Sequence, residues 1–230
     1  MRKKLIAFLV TALFCLPVFA NDRCDTSFLP EAFYHTFRES LPIHMGRLSR
    51  GYPPQIMGSA FLPEENWSSG ALCYNNVWYA ADAFKYDVYT DELVIQTPAK
   101  FSVVPVAYRI QSFLLANRKF VRMNTLGKLM SGPGFYELVT DGKLSLIAKR
   151  KRFLEEKVGE NQVERQFLVT DEFYIKKNDQ VKRVHSKKDL LSVVNDKRKL
   201  IKKVLRDEKL PFKKNRETLI IAAIEAYNKN

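Results

Sequence analysis

Short apolar runs separated by turn residues fill the middle of the chain, and their spacing predicts strands. Asn75-Asn76 separates one pair of runs, and Asp141-Gly142 separates another. Both dipeptides tolerate the positive φ angles that a two-residue hairpin turn requires. Strand and helix patterns do not alternate, which argues against a parallel sheet. The pattern predicts about eight to ten antiparallel strands over residues 70–185, arranged as a meander, an open half-barrel or a small sandwich.

A helical period replaces the strand period at Ser186. Ser186 and Asp189 have the spacing of a capping box. Apolar residues then recur every three or four positions in three blocks, which predicts three amphipathic helices. We expect these helices to form a basic segment at residues 186–230 that packs on the β domain. The predicted fold class is therefore mainly β with α, ending in a short C-terminal helical segment.

The N-terminal part of the chain has the pattern of an export signal followed by an irregular segment. Three basic residues precede an apolar run at residues 5–16, and small residues lead to Ala20. We predict a secretory signal peptide at residues 1–20, cleaved after Ala20, because the run is shorter than the ~20 residues of a membrane span. Five prolines interrupt residues 21–69, so we expect loops and one short helix there. The mature chain is expected to be periplasmic or extracellular, without a transmembrane span.

Two cysteines, Cys24 and Cys73, follow the predicted cleavage site. In an oxidising compartment they are expected to form one disulfide that closes a loop of about 50 residues. The alternative is a pair of buried free thiols. Their separation is not a metal-ligand spacing, and we expect no metal site.

Composition places the chain among globular proteins and points to an anionic partner. The 230 residues are 46% hydrophobic and 27% charged, which excludes a disordered or collagen-like chain. Residues 21–100 carry 6 Lys+Arg and 10 Asp+Glu, whereas residues 101–230 carry 29 and 15. The C-terminal half would therefore attract lipopolysaccharide, phospholipid headgroups, acidic glycans or an acidic protein. A solvated basic surface without a dedicated partner is the alternative.

The second predicted helix concentrates positive charge on one face. At about 100° per residue, its cations fall on an arc opposite the apolar stripe. Because like charges on one helix face repel each other, this arc is the best candidate for contact with an anion. The predicted binding residues are Arg198, Lys199, Lys202, Lys203, Arg206 and Lys209.

Aromatic side chains crowd the region around the first predicted hairpin. Tyr and Trp rings often line sugar-binding or partner-binding faces, because they offer a large contact area at low entropic cost. The alternative is packing in the core and between hairpins. The predicted aromatic patch consists of Trp67, Trp78, Tyr86 and Tyr89.

Recognisable catalytic and nucleic-acid-binding motifs do not occur in the sequence. The chain has no GxSxG, SxxK, P-loop or GxGxxG motif, and its three histidines lack metal-ligand spacing. Asp87 and Asp91 are a conceivable carboxylate pair, although aspartate is also common at turns. No spacing typical of a nucleic-acid-binding module occurs. We therefore predict no catalytic residues, no cofactor and no nucleic-acid partner.

Four short runs occur in an order that resembles a known group of sequences. They are KYDVYTDELV at 85–94, GFYEL at 134–138 with DGKL at 141–144, FYIKKN at 173–178, and KKDLL at 187–191. In this combination, over residues 58–227, the chain is similar to a group of uncharacterised exported envelope proteins of Gram-negative bacteria. The resemblance implies an exported envelope protein and transfers no functional residues.

The sequence favours a noncatalytic envelope protein that binds an anionic component or a protein partner through its basic C-terminal surface. One alternative is a carrier of lipid or another hydrophobic ligand, with an apolar cavity under a curved sheet. Another alternative is a hydrolase of unidentified class. The pattern leaves the oligomeric state open.

Overall fold

The computed structural model describes Cys24 and residues 36–37, 40–62, 66–123, 130–159, 163–178 and 180–229. The predicted signal peptide lies outside these residues. Most of the short helix predicted in the N-terminal segment also lies outside them, and its described residues Thr36 and Phe37 are helical.

Antiparallel strands are the main secondary structure of the described chain, and C-terminal helices follow them, which confirms the predicted fold class. Fourteen strands are present in the described ranges, more than the pattern predicted. They are β1 (Gly46–Leu48), β2 (Phe61–Leu62), β3 (Ser68–Tyr74), β4 (Val77–Asp87), β5 (Glu92–Gln96), β6 (Ser102–Pro105), β7 (Ile110–Leu115), β8 (Arg118–Met123), β9 (Gly134–Thr140), β10 (Leu144–Lys149), β11 (Arg152–Val158), β12 (Val163–Val169), β13 (Glu172–Lys177) and β14 (Gln180–Arg183).

Twelve of these strands form one sheet with the order β1-β6-β5-β4-β3-β7-β8-β9-β10-β13-β14, and β2 pairs with β4. The chain first winds outward from β3 to β6. It then returns through the short 3₁₀ helix Ala107–Arg109 to the other side of β3 and winds outward again to β14. Strands β11 and β12 form a separate two-stranded ribbon, which is tied to the N-terminal segment by a bridge between Met57 and Gln166.

The predicted hairpin at Asn75-Asn76 is confirmed, and a second turn of the same kind was not predicted. Asn75 and Asn76 join β3 to β4 with φ angles of 50° and 64°, in the left-handed region that a type I′ turn requires. Ala116 and Asn117 join β7 to β8 with φ angles of 48° and 62°. Because alanine is uncommon in this conformation, the sequence pattern does not predict the β7–β8 hairpin.

The sheet is strongly curled around an aromatic core. Strands β3, β7 and β8 separate β4 from β9 in the hydrogen-bonding order. In a flat sheet β4 and β9 would lie about 19 Å apart, yet the ring centroids of Tyr86 and Phe135 are 6.1 Å apart. Phe113 and Phe120 stack between them, with centroids 4.6 Å apart. All four side chains are at most 1% exposed, so packed rings fill the concave side here.

An ion pair between the partly exposed Asp91 and the buried Lys149 fixes this curl where the β4–β5 turn meets β9 and β10. Asp91 accepts hydrogen bonds from the Lys149 ammonium at 2.7 Å and from the Tyr86 hydroxyl. The backbone N–H of Phe135 also donates to this carboxylate, at 3.3 Å. Position 134 requires glycine, because a Cβ there would lie 2.0 Å from Asp91 Oδ2. We call this set of contacts the Asp91 clamp.

Three helices follow β14, as the amphipathic pattern predicts. They are α1 (Lys187–Val193), α2 (Arg198–Asp207) and α3 (Arg216–Lys229). The predicted capping box is confirmed, since the Ser186 hydroxyl accepts from the Asp189 N–H and the Asp189 carboxylate accepts from the Ser186 N–H. The apolar faces of the helices pack on β10 and β13 and form a second core. Its fully buried members include Leu146, Ile175, Ile201, Ile220 and Ile224.

A buried ion network joins this helical layer to the sheet. The side chain of Arg150, directly after β10, is 6% exposed. Its guanidinium donates to Glu137 on β9, Asp171 before β13 and Glu217 on α3, at 2.5–2.9 Å. Burial alone would raise the pKa of Glu137, but hydrogen bonds from Arg118 and the charge of Arg150 outweigh burial and lower that pKa. The network therefore keeps Glu137 ionised inside the protein.

Arg150→Met should lower the free energy of unfolding by about 3 kcal/mol or more, because it removes the cation that Glu137, Asp171 and Glu217 share. Urea denaturation of the variant and the parent protein measures the difference. Arg165→Met is the matched control, since Arg165 pairs with Glu156 and its side chain is 47% exposed. The control should lose less than about 1 kcal/mol. Equal losses in the two variants would contradict the stabilising role of the network.

The predicted disulfide joins Cys24 to Cys73, with Cα atoms 6.2 Å apart. Cys73 lies on β3, which pairs with β4 on one side and β7 on the other. The disulfide therefore attaches the N-terminal segment to the middle of the large sheet.

Reduction of this disulfide should lower the free energy of unfolding by about 4 kcal/mol, because it frees a long loop in the unfolded chain. Urea denaturation with and without reductant measures the change. A Cys24→Ser, Cys73→Ser double variant is the control and should not respond to reductant. Two reactive thiols in the denatured but unreduced protein would show that the cysteines are not bonded.

Candidate functional site

Helix α2 presents the predicted cations to solvent. Its apolar residues Ile201 and Leu205 are buried in the second core. The six predicted binding residues are all exposed, and within the described part of the chain none makes an ion pair or a side-chain hydrogen bond. Lys209 differs from the other five because it follows the helix, with a left-handed φ of 52°. We call the remaining five the α2 basic face; they are Arg198, Lys199, Lys202, Lys203 and Arg206.

A polar contact holds the chain just before α2. Asp196 accepts hydrogen bonds from the Lys177 ammonium at 2.7 Å and from the Tyr227 hydroxyl at 2.5 Å. These two contacts lower the pKa of Asp196 to about 2. The Lys197 ammonium lies 4.4 Å from the ring centroid of Tyr227. Lys177 and Lys197 thus have partners within the protein, in contrast to the α2 basic face.

The four residues of the predicted aromatic patch do not form one surface. Tyr86 is fully buried in the core, Trp67 and Trp78 are half-buried, and Tyr89 is exposed. A β-bulge explains this difference, because the register of β3 against β4 shifts opposite the middle of β4. The buried positions of β4 change parity there. Trp78 and Tyr86 therefore point to opposite faces, although an even number of positions separates them.

A cavity lies on the outer face of β4 and β5, opposite the aromatic core. Phe84 and Tyr86 point into the core, so Lys85 between them points outward. The strand register pairs Lys85 with Val94, which places Val94 on the same outer face. The cavity has a volume of about 570 Å³. Its lining includes Ser49, Arg50, Tyr52, Phe61, Trp67 and Phe167.

Lys85 is the buried cation of this cavity. It is 9% exposed, and its ammonium lies 4.7 Å from the ring centroid of Trp67 and 5.3 Å from that of Phe61. A cation placed over an aromatic ring is attracted to it, and more strongly when water is excluded. Arg50 also lines the cavity, is exposed, and makes no ion pair within the described ranges. The cavity therefore combines aromatic rings with positive charge.

Asp87 positions Tyr52 at this cavity. The Tyr52 hydroxyl donates to the Asp87 carboxylate at 2.6 Å, and the N–H groups of Tyr89 and Thr90 donate to it at 3.0 and 3.1 Å. Burial raises the pKa of Asp87, and these hydrogen bonds oppose that rise without cancelling it. Asp91 belongs to the clamp instead. The two aspartates thus have separate hydrogen-bond partners.

Most residues of this cavity were not predicted from the sequence. Tyr52 and Phe61 belong to the N-terminal segment that was expected to be irregular, and Phe167 lies far along the chain on β12. Trp67 was predicted, but as a member of a different patch. One feature of the sequence could have indicated the cavity, namely a lysine between two aromatic residues in Phe84-Lys85-Tyr86. If both aromatic side chains lie in the core, the lysine side chain must lie on the opposite face of the strand.

Comparisons with protein families, with curated proteins and with solved structures find no match to this chain. Among the described residues, no helix combines the length and apolar character needed to cross a membrane. The same residues contain no group of three or more His, Cys, Asp or Glu side chains arranged to hold a metal ion. The α2 basic face and the cavity are therefore the two candidate sites of the described chain.

Tyr52→Phe should raise the pKa of Asp87 further and lower the free energy of unfolding by about 1–2 kcal/mol, because it removes a hydrogen bond to a buried carboxylate. The loss of stability should be largest above the Asp87 pKa, where the carboxylate is ionised and needs the donor. NMR titration of the carboxyl carbon and urea denaturation measure the two effects.

Tyr89→Phe is the control for this variant. The Tyr89 ring lies in the same cluster, 6.1 Å from that of Tyr52, and its backbone N–H contact to Asp87 is kept. The control should leave the titration of Asp87 unchanged. A Tyr52→Phe titration curve that coincides with that of the parent protein would disprove the coupling.

Proposed function

We propose that the protein is an exported, noncatalytic envelope protein whose α2 basic face binds the phosphates of an anionic lipid surface. The observation that carries the proposal is the set of five exposed cations on one face of α2, without a carboxylate partner in the described residues. The predicted leader and the Cys24–Cys73 disulfide support export, since disulfides persist in oxidising compartments.

The α2 basic face is unfavourable for an isolated helix. Arg198 and Lys202 are four positions apart, as are Lys199 and Lys203, and like charges at this spacing destabilise a helix by about 0.2–0.5 kcal/mol per pair. The first turn of α2 has no acidic residue, so its cations also oppose the helix dipole. An anion bound along this face would relieve both effects.

The second core holds α2 in place for such binding. Ile201 and Leu205 are buried, and the cations lie on the opposite side of the helix. The helix therefore stays ordered without an anion, and binding needs only the ordering of the cationic side chains. Lysine suits phosphate as a compact charge, and arginine can bind two phosphate oxygens at once.

The alternative of a lipid carrier has less support. Such a carrier needs an apolar cavity on the concave side of the sheet. In the half of the sheet around β4 and β9, that side is occupied by Phe113, Phe120 and Phe135, each at most 1% exposed. The observations favour binding at the surface.

Lys199→Gln, Lys202→Gln, Lys203→Gln should weaken binding to vesicles that contain phosphatidylglycerol by about 100-fold, because each cation contributes about 1 kcal/mol at an anionic surface. Co-sedimentation with the vesicles at low and physiological ionic strength measures the affinity. Binding of the parent protein should weaken as salt is added. Vesicles of phosphatidylcholine alone should not bind it.

Lys100→Gln, Lys119→Gln, Lys143→Gln is the matched control, because these lysines are exposed elsewhere and their loss changes the net charge equally. The control should keep most of the affinity. If vesicle binding weakened equally in both triple variants, the interaction would depend only on the net charge of the protein, and the α2 basic face would not be a dedicated binding site. Undiminished binding of the α2 variant would reject the proposal outright.

A further inference from the structure

The ribbon of β11 and β12 has one unpaired edge. Met57 bridges β12 on the side away from β11, whereas among the described strands only β12 pairs with β11. An unpaired strand edge presents N–H and C=O groups that can pair with a strand of another chain. The outer edge of β11 is therefore a candidate interaction surface, separate from the α2 basic face.

Hydrogen bonds on the far side of β12 show which backbone groups of β11 point outward. The Met57 N–H donates to the Arg165 carbonyl, and the Phe167 N–H donates to the Met57 carbonyl, both at 2.9 Å. Because these directions alternate along a strand, the backbone groups of Gln166 point toward β11. The register pairs Gln166 with Glu155, whose groups therefore point toward β12. The outward groups of β11 that have no backbone partner among the described residues belong to the alternate positions Leu154, Glu156 and Val158.

The same part of β11 carries an exposed apolar side chain. Val158 is 86% exposed, more than any other large hydrophobic side chain of the described residues. Its cross-strand neighbour Val163 is 47% exposed. Leu154 lies on the same face of the ribbon, four positions earlier, and is half-buried. Exposed apolar side chains beside an unpaired edge favour pairing with another strand.

A second copy of β11 can pair with this edge in the antiparallel direction, about a twofold axis. Because only outward-pointing residues exchange hydrogen bonds, three registers pair most of the strand, with Leu154, Glu155 or Glu156 on the axis. With Leu154 on the axis, Val158 extends past the partner strand and stays exposed. With Glu155 on the axis, the two Glu155 carboxylates lie opposite each other and Leu154 lies opposite a carboxylate, so neither of these registers matches the side chains.

The register with Glu156 on the axis gives complementary pairs. Leu154 then lies opposite Val158 of the second copy, and this apolar contact occurs twice. Glu155 lies opposite Lys157 of the second copy, so two pairs of opposite charge also form. The strand segment that pairs in this register is 154–158, which contains all three outward-pointing residues.

Arg165 offsets the repulsion between the two Glu156 carboxylates at the axis. Each Glu156 pairs with Arg165 of its own chain at 2.7 Å. The two arginines would therefore flank the facing carboxylates. The register thus places no uncompensated charge at its centre.

We propose that the protein forms a twofold dimer in which the β11 strands of two copies pair antiparallel about Glu156, so that two ribbons become one four-stranded sheet. The paired segment is short, so the dissociation constant should be on the order of 10–100 µM. The dimer does not depend on the α2 basic face.

Sedimentation equilibrium over a range from about 1 to 500 µM protein tests the association. Val158→Asp should weaken it by at least about ten-fold, because it places a carboxylate opposite the apolar Leu154 of the second copy. Val169→Asp is the matched control. Val169 is 66% exposed on β12 and lies outside the paired segment. The control should dimerise as the parent protein does.

Glu156→Cys tests the register. Directly opposed residues of a hydrogen-bonded pair have Cα atoms about 5.5 Å apart, which suits a disulfide. After Ala20 the chain has no other free thiol, because Cys24 and Cys73 are bonded, so mild oxidation should give a covalent dimer. Glu164→Cys, also at an exposed position, is the control. It lies on β12, and the two β12 strands of the dimer would be about 14 Å apart, too far for a disulfide.

Three outcomes would overturn the proposal. A protein that stays monomeric at the highest concentration would leave this edge to a different partner. Equal dimerisation of Val158→Asp and Val169→Asp would place the contact elsewhere. Oxidation that links Glu156→Cys no faster than Glu164→Cys would exclude the register. The α2 triple variant should dimerise as the parent protein does, which separates this proposal from lipid binding.

Discussion

The curl of the large sheet depends on a single carboxylate, because Asp91 joins strands that the hydrogen-bonding order keeps far apart. Packing of Tyr86, Phe113 and Phe135 supplies apolar contact. Because such contact is not directional, it would also be compatible with a more curled or a less curled sheet. The ion pair with Lys149 is directional, and with the Tyr86 hydroxyl it satisfies both oxygens of Asp91. The clamp therefore defines one curvature, and glycine at position 134 gives it room.

Because of this curvature, the two faces of the sheet have different surroundings. One side of β4 faces the packed rings, and the other side, with Lys85 and Asp87, faces the N-terminal segment and β12. Because a curled sheet leaves its convex side poorly covered by its own strands, residues from two distant parts of the chain lie over it, and the cavity forms beneath them. The helices cover a different part of the sheet, where Arg150 links α3 to β9.

Local sequence patterns predicted the strands and helices, whereas the candidate sites depend on contacts between residues that are far apart in the chain. Asn75-Asn76 and the Ser186 capping box act through neighbouring residues, so the sequence was sufficient for both. The four predicted aromatic residues do not share one surface, because a bulge in the β3–β4 pair reverses the direction of the side chains that follow it on β4. A single sequence has no clear signature of such a bulge. The cavity joins Tyr52, Lys85 and Phe167, whose meeting depends on the curl. No periodicity along the chain contains that information.

For the cations of this protein, the presence or absence of a carboxylate partner is more informative than the number of cations. In the sheet, Arg118, Lys149 and Arg150 each have a carboxylate within 2.7 Å, so the chain supplies counter-charges where a cation is structural. On α2 the same chain places five cations side by side, and among its described residues none of the five makes an ion pair. The proposed lipid phosphates would supply the missing counter-charge from outside the protein, so the proposal depends on the α2 basic face rather than on the net charge.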